Sequence, residues 1–183
     1  MNELKKNKNK SFFSSPVKLS SNHLLAIEGM EKSEIQKLIE RADYFANLDR
    51  HTNTKVLQGY VVLNVFFENS TRTRVSFELA ARRLGAEVIN ISLINSSIKK
   101  GESLLDTAST LNAMRPDLLI VRHPHSGAPL LFADYLNCSI INAGDGRHEH
   151  PTQALLDALT IKRRVGYLAV SYTHLRAHET RFY

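Results

Sequence analysis

Hydrophobic and polar positions fall into a regular sequence of blocks along most of the chain. From Glu31 to Leu48, the apolar residues Ile35, Leu38, Ile39, Ala42 and Phe45 recur at helical spacing, which predicts an amphipathic helix. His51 to Thr54 is a polar break. Tyr60 to Phe67 is apolar nearly throughout, as a strand buried on both faces must be. Thr71 to Leu84 returns to helical spacing, with Phe77, Ala80, Ala81 and Leu84 on one face. The alternation continues with a strand at Ala86–Ile91, a helix at Glu102–Met114 stopped before Pro116, and a strand at Leu118–Val121. A helix at Gly127–Leu136, a strand at Ser139–Asn142 and a closing helix at Pro151–Arg164 complete it. Strands and helices alternating in this way predict an α/β fold, a parallel four-stranded sheet with helices on both faces. Ligands of such sheets sit beyond the carboxyl ends of the strands.

Composition narrows the class. The chain has 183 residues, enough for one substantial domain with its own core. No run approaches the roughly 20 apolar residues that span a bilayer, and the lysines at the N-terminus have no apolar segment behind them. A single cysteine, Cys138, excludes an internal disulfide and argues against a cysteine metal site. These features predict a soluble, cytoplasmic protein with no membrane partner. The formal charge is +6, of which +3 lies in residues 1–10, with four Lys and one Glu. Residues 1–19 read as a disordered basic leader, with nucleic acid or acidic lipid as the other reading of its charge.

Four polar clusters follow the four strands, all on the same edge of the predicted sheet. Ser70-Thr71-Arg72-Thr73-Arg74 opens a helix directly after a buried strand. A helix N-terminus offers unpaired N–H groups and the positive end of the dipole, a combination that binds phosphate. Hydroxyls add donors, and Arg72 can pair with two phosphate oxygens. The same residues also suit an ordinary capped helix with solvated arginines. Asn95-Ser96-Ser97 and Lys99-Lys100-Gly101-Glu102-Ser103 form a loop that fits either an anion or plain solvent. Arg122-His123-Pro124 closes the third strand, where a surface arginine is the competing reading. Gly144 to Gln153 follows the fourth strand. Pro151 suits the first helical position, so His150 becomes the N-cap and shares a face with Gln153. The spacing of His148, Glu149 and His150 is not a metal-binding pattern, and no metal or other cofactor is expected.

These clusters together resemble the aspartate and ornithine carbamoyltransferase family. Phe66-Phe67-Glu68-Asn69-Ser70-Thr71-Arg72-Thr73-Arg74-Val75-Ser76-Phe77-Glu78 is similar to its carbamoyl-phosphate signature. Arg122-His123-Pro124 and His150-Pro151-Thr152-Gln153-Ala154-Leu155-Leu156-Asp157 are similar to its later site segments. The resemblance runs from about Leu19 to about Val165. It implies that Ser70, Thr71, Arg72 and Thr73 hold the phosphate and that Arg122 binds phosphate and the carbonyl oxygen. It implies further that His150 hydrogen-bonds that carbonyl oxygen and Gln153 the carbamoyl amide, with Arg72, Arg122 and His150 as the catalytic groups. Ser96 and Lys100 would contact aspartate or reach into a neighbouring subunit's site, because the family's catalytic unit is a trimer with shared sites. The Phe-Phe-Glu opening and Lys100-Gly101-Glu102-Ser103 resemble the aspartate branch. The implied substrates are therefore carbamoyl phosphate and L-aspartate, giving N-carbamoyl-L-aspartate and phosphate in pyrimidine synthesis, without metal or covalent intermediate. An association with a regulatory or dihydroorotase-like chain is also compatible with the family. Ornithine carbamoyltransferase is the rival enzyme. A non-catalytic phosphate- or nucleic-acid-binding module is the rival of another class, weakened because aromatic residues are not interleaved with the basic clusters.

The end of the chain departs from this pattern. Residues 20–165 read as the carbamoyl-phosphate-binding domain. Residues 166–183 do not continue the alternation and match nothing expected of the family, so a foreign tail and a missing aspartate-binding domain are expected. A chain without that domain should show little or no transferase activity alone.

Overall fold

The computed structural model describes residues 17–49, 54–93 and 103–166. The basic leader up to residue 16, the loop carrying Ser96 and Lys100, and the tail from residue 167 lie outside the described residues. The element order is α1 (Lys32–Ala46), β1 (Val61–Phe66), α2 (Thr71–Arg83), β2 (Glu87–Ser92), α3 (Leu104–Ala113), β3 (Leu118–His123), α4 (Ala128–Tyr135), β4 (Ser139–Asp145) and α5 (Pro151–Val165). The strands form a parallel sheet in the order β2-β1-β3-β4.

The central strand explains why the sheet has two covered faces. In β1, Val62, Leu63, Val65 and Phe66 are each at most 1% exposed. Leu63 and Val65 join Ala108 and Leu111 of α3 and Phe132 of α4 in one core. Val62 and Phe66 point the other way, into a core with Ala81 of α2, Ile120 and Ala143. Alternate side chains of a strand face opposite sides, so an unbroken apolar run is what two-sided cover requires. A third cluster packs α1 on α5 through Ile35, Ile39, Ala154, Ala158 and Leu159. Arg163 Nε and Asp43 Oδ1, 2.7 Å apart, join the same two helices at the surface.

The predicted elements are all present, with bounds shifted by a few residues. β3 and β4 run further than expected, to His123 and Asp145. A register slip between Val121 and His123 brings His123 opposite Asp145 and keeps the two strands paired. The segment before α1 also contributes. Leu24 N–H donates to Ile140 O (2.8 Å) and Asn142 N–H donates to Leu24 O (2.9 Å), a parallel bridge covering the outer edge of β4.

The topology places the site. The chain starts at β1, moves out to β2, then crosses back to β3 on the other side of β1. That reversal makes the carboxyl ends of β1 and β3 the switch point, where open α/β sheets bind ligands. Phe66 at the end of β1 pairs with Arg122 near the end of β3.

Candidate functional site

Beyond β1, Phe67 N–H donates to Arg122 O (2.9 Å), so the chain stays tied to β3 for one residue before turning into α2. Glu68 follows, and its Oε1 lies 2.5 Å from Arg122 Nε. Arg122 is 4% exposed, and its Nη1 donates to Ala143 O (3.0 Å) in β4. A buried guanidinium needs this number of acceptors, because its charge is costly to remove from water. One arginine thus bonds the ends of β1 and β4 while standing on β3.

Gly144 leaves room for both the third strand's arginine and the histidine that caps α5. Its φ is +116°, a conformation that side chains disfavour, and a Cβ there would stand 2.7 Å from Arg122 Nη1 and 3.5 Å from His150 Cδ2. His150 is buried and caps α5, with Pro151 at its first turn as predicted. Its Nδ1 lies 3.3 Å from Thr152 Oγ1. Gln153, one turn on, uses its Nε2 to bond Asp157 Oδ1 (2.9 Å).

The start of α2 has a different character. Ser70 occupies the N-cap with no side-chain capping bond, and the first turn holds no acidic residue. Thr71 and Arg72 are exposed, and Thr73 is half-buried. Acidic side chains are favoured at helix N-termini, yet Arg72 and Arg74 occupy this one. The turn is anchored from below by Asn64, a fully buried residue of β1. Its Nδ2 donates to Arg74 O (3.1 Å) and to Asn90 Oδ1 (2.8 Å). That buried amide in a strand is therefore part of what fixes the start of α2.

The site residues predicted from sequence fall into three groups. Arg122 and His150 flank Gly144, with Gln153 one turn beyond His150. Ser70 to Thr73 lie at the α2 N-terminus, entered two residues after the Glu68 that holds Arg122. Ser96 and Lys100 lie outside the described residues. Sequence reasoning assigned no role to Glu68, Asn64, Asp145 or Glu149. Charged or amide side chains embedded in buried strands, or directly after them, were the available signal. His123, beside Arg122, stacks edge-on against Phe67 with ring centroids 4.6 Å apart. Its Nδ1 accepts His125 N–H (2.9 Å). Burial, helped by the neighbouring His125 ring, pushes its pKa down, which favours the neutral ring. Among the described residues no group of His, Cys, Asp or Glu is arranged to hold a metal ion, and no helix is long and apolar enough to cross a membrane.

Known proteins are similar to this chain in sequence and fold. The chain is 62% identical over 148 residues to the aspartate carbamoyltransferase catalytic subunit of Rhodospirillum rubrum, covering 80% of this chain and 46% of that protein. It is 58% identical to the corresponding subunit of Jannaschia sp., covering 81% and 48%. Among solved structures, it resembles aspartate transcarbamoylase from Trypanosoma cruzi in complex with carbamoyl aspartate and phosphate. That match has a TM-score of 0.72 and 40% identity, covering 79% of this chain and 47% of that one. The catalytic subunit of M. jannaschii aspartate transcarbamoylase matches at a TM-score of 0.71 and 43% identity, covering 80% and 48%. The chain spans about half the length of the curated relatives it matches. Residues 22–163 match the family described as aspartate/ornithine carbamoyltransferase, carbamoyl-P binding domain, and the chain belongs to that family.

Proposed function

We propose that residues 20–165 are the carbamoyl-phosphate half of an aspartate carbamoyltransferase, with the phosphate seated on the first turn of α2. The observation that carries this reading is the α2 N-terminus itself: a serine cap whose side chain makes no capping bond, no acid in the first turn, and arginines at two of its positions. Such a turn concentrates positive potential at one point and is stabilised by an anion placed there. The names of the relatives favour L-aspartate over ornithine as the acceptor. The part of those relatives beyond the matched half would hold aspartate.

In this reading Ser70, Thr71, Arg72 and Thr73 bind the phosphate, Arg122 spans phosphate and carbonyl oxygen, and His150 donates to the carbonyl oxygen. Gln153 turns from Asp157 to the carbamoyl amide. The aspartate amine attacks the carbamoyl carbon, so negative charge grows first on the carbonyl oxygen and then on the departing phosphate. Fixed donors aimed at both positions lower the barrier, and confinement of the two substrates lowers it further. The working enzyme would be a cytoplasmic trimer in which Ser96 and Lys100 serve a neighbouring subunit's site, and a regulatory or dihydroorotase-like chain would be a further partner.

Calorimetric titration of the chain with carbamoyl phosphate, or with phosphonoacetate as a stable analogue, tests the binding half of this function. One site per chain is expected. A flat titration with both compounds contradicts it. A steep salt dependence of binding to polynucleotide would favour the nucleic-acid module instead.

A further inference from the structure

Asp145, the last residue of β4, is 2% exposed, yet its carboxylate is fully occupied. Oδ1 accepts Asn142 Nδ2 (3.0 Å) and Glu149 N–H (2.9 Å). Oδ2 accepts Gly127 N–H (2.8 Å) and lies 3.1 Å from His148 Nδ1. A carboxylate has about four acceptor positions, and all four are used. Its main chain is held as well: Asp145 N–H donates to Glu149 O (3.2 Å), and its carbonyl accepts His148 N–H (3.1 Å). Ser126 Oγ adds a further bond to that carbonyl (3.3 Å).

These bonds join separate parts of the fold at one side chain. Asn142 belongs to β4, Glu149 to the turn before α5, and Gly127 to the cap of α4. The turn they close begins at Gly144 and ends at His150. Gly144 is packed so closely on Arg122 that a Cβ would stand 2.7 Å from Nη1. Any slack in the turn therefore moves His150 directly and releases the wall against which the Arg122 guanidinium rests. The turn is braced a second time by Glu149, whose carboxylate accepts Ile27 N–H and Glu28 N–H at 3.4 Å each.

We propose that Asp145 is a positioning residue whose buried carboxylate, by closing the 144–150 turn, sets where His150 and the Arg122 guanidinium stand. Its importance for ligand binding rests on the reading of Arg122 and His150 given under Proposed function. No other side chain of similar size replaces it. Asparagine offers one acceptor oxygen, and its amide N–H groups would face two donors. Binding sites need their contacting groups locked by such supporting bonds, because small displacements of a donor weaken it steeply.

The test uses the isotope-labelled full chain without ligand and follows the His150 ring and Arg122 Nε–H resonances in Asp145→Asn. Both are expected to move, and phosphonoacetate affinity to fall about tenfold, the scale of one lost or misdirected hydrogen bond. A core variant in α3 with no bond to the turn, Leu111→Ala, is expected to lower stability while leaving both resonances and the affinity unchanged. If Asp145→Asn does not fold, His148→Ala removes only the half-exposed donor and should move the same resonances less far. Unmoved His150 and Arg122 signals in the folded variant, or equal movement in Leu111→Ala, would overturn the role. A wild-type chain that ignores phosphonoacetate would instead defeat the functional reading, while the ligand-free resonances still decide the place of Asp145.

Discussion

Two helices of this chain begin with serine, and they use it in opposite ways. At α3, Ser103 Oγ accepts Asp106 N–H (3.1 Å), and the Asp106 carboxylate accepts the Ser103 N–H in return (2.9 Å). This reciprocal box satisfies the helix end from within and sets an acid against the dipole. At α2, Ser70 makes no such bond, and the position matching Asp106 holds Thr73, flanked by Arg72 and Arg74. The α3 start stabilises its own helix. The α2 start lacks that stabilisation, and in the proposed reading its donors serve an anion. The two helix ends thus differ in whether the cap closes on itself, since the capping residue is the same.

The contrast can be broken most severely at the charge itself. If the proposed function holds, Arg72→Ala in a chain of the relatives' full length should cut turnover at least about a hundredfold, as loss of a main charge-stabilising donor does. Near-normal turnover would remove Arg72 from the site. Gly144→Ala comes next. The added carbon collides with Arg122 and strains a backbone at φ +116°. Stability should drop by about 1–3 kcal/mol, measured by denaturant unfolding, and phosphonoacetate affinity should fall with it.

A smaller pair of changes sharpens the comparison directly. Ser103→Ala should cost about 1 kcal/mol of stability and leave anion affinity alone. Ser70→Ala should do the reverse, weakening the anion several-fold while changing stability by no more than about 0.5 kcal/mol. Equal behaviour of the two variants would dissolve the distinction. The smallest effect concerns acid. Bonds from the Ser103 side chain and backbone hold the Asp106 carboxyl below its ordinary range. Its contribution is therefore fully present above the unfolded value of about 3.9 and lost as pH falls through the lower folded value. The melting-temperature gap between the wild type and Asp106→Asn should close as pH falls below about 4.

Much of this was readable from the chain, for identifiable reasons. The elements follow from side-chain period, and period is a local property: Tyr60–Phe67 reads as a two-sided strand, and Ile35 and Ile39 read as one helix face. His150 at the α5 cap followed from Pro151. What could not be read depends on distant partners. The Glu68–Arg122 pair joins residues far apart in the chain, and nothing near Glu68 announces it. β4 extends to Asp145 because of the register slip against His123, and the Leu24 bridge is made by backbone groups that carry no sequence signal. Asp145 and Glu149 lie inside the Gly144–Gln153 segment, and nothing local marks them as acceptors of the bonds that hold the turn.

The central claim is that the first turn of α2 and the Arg122–His150 pair serve one anion. Following backbone and side-chain resonances during a phosphonoacetate titration of the labelled chain tests this most directly. The account predicts that the Thr71, Arg72 and Thr73 amides, Arg122 Nε–H and the His150 ring shift together along one binding curve. Shifts confined to only one of these two groups, or centred elsewhere on the chain, would contradict it.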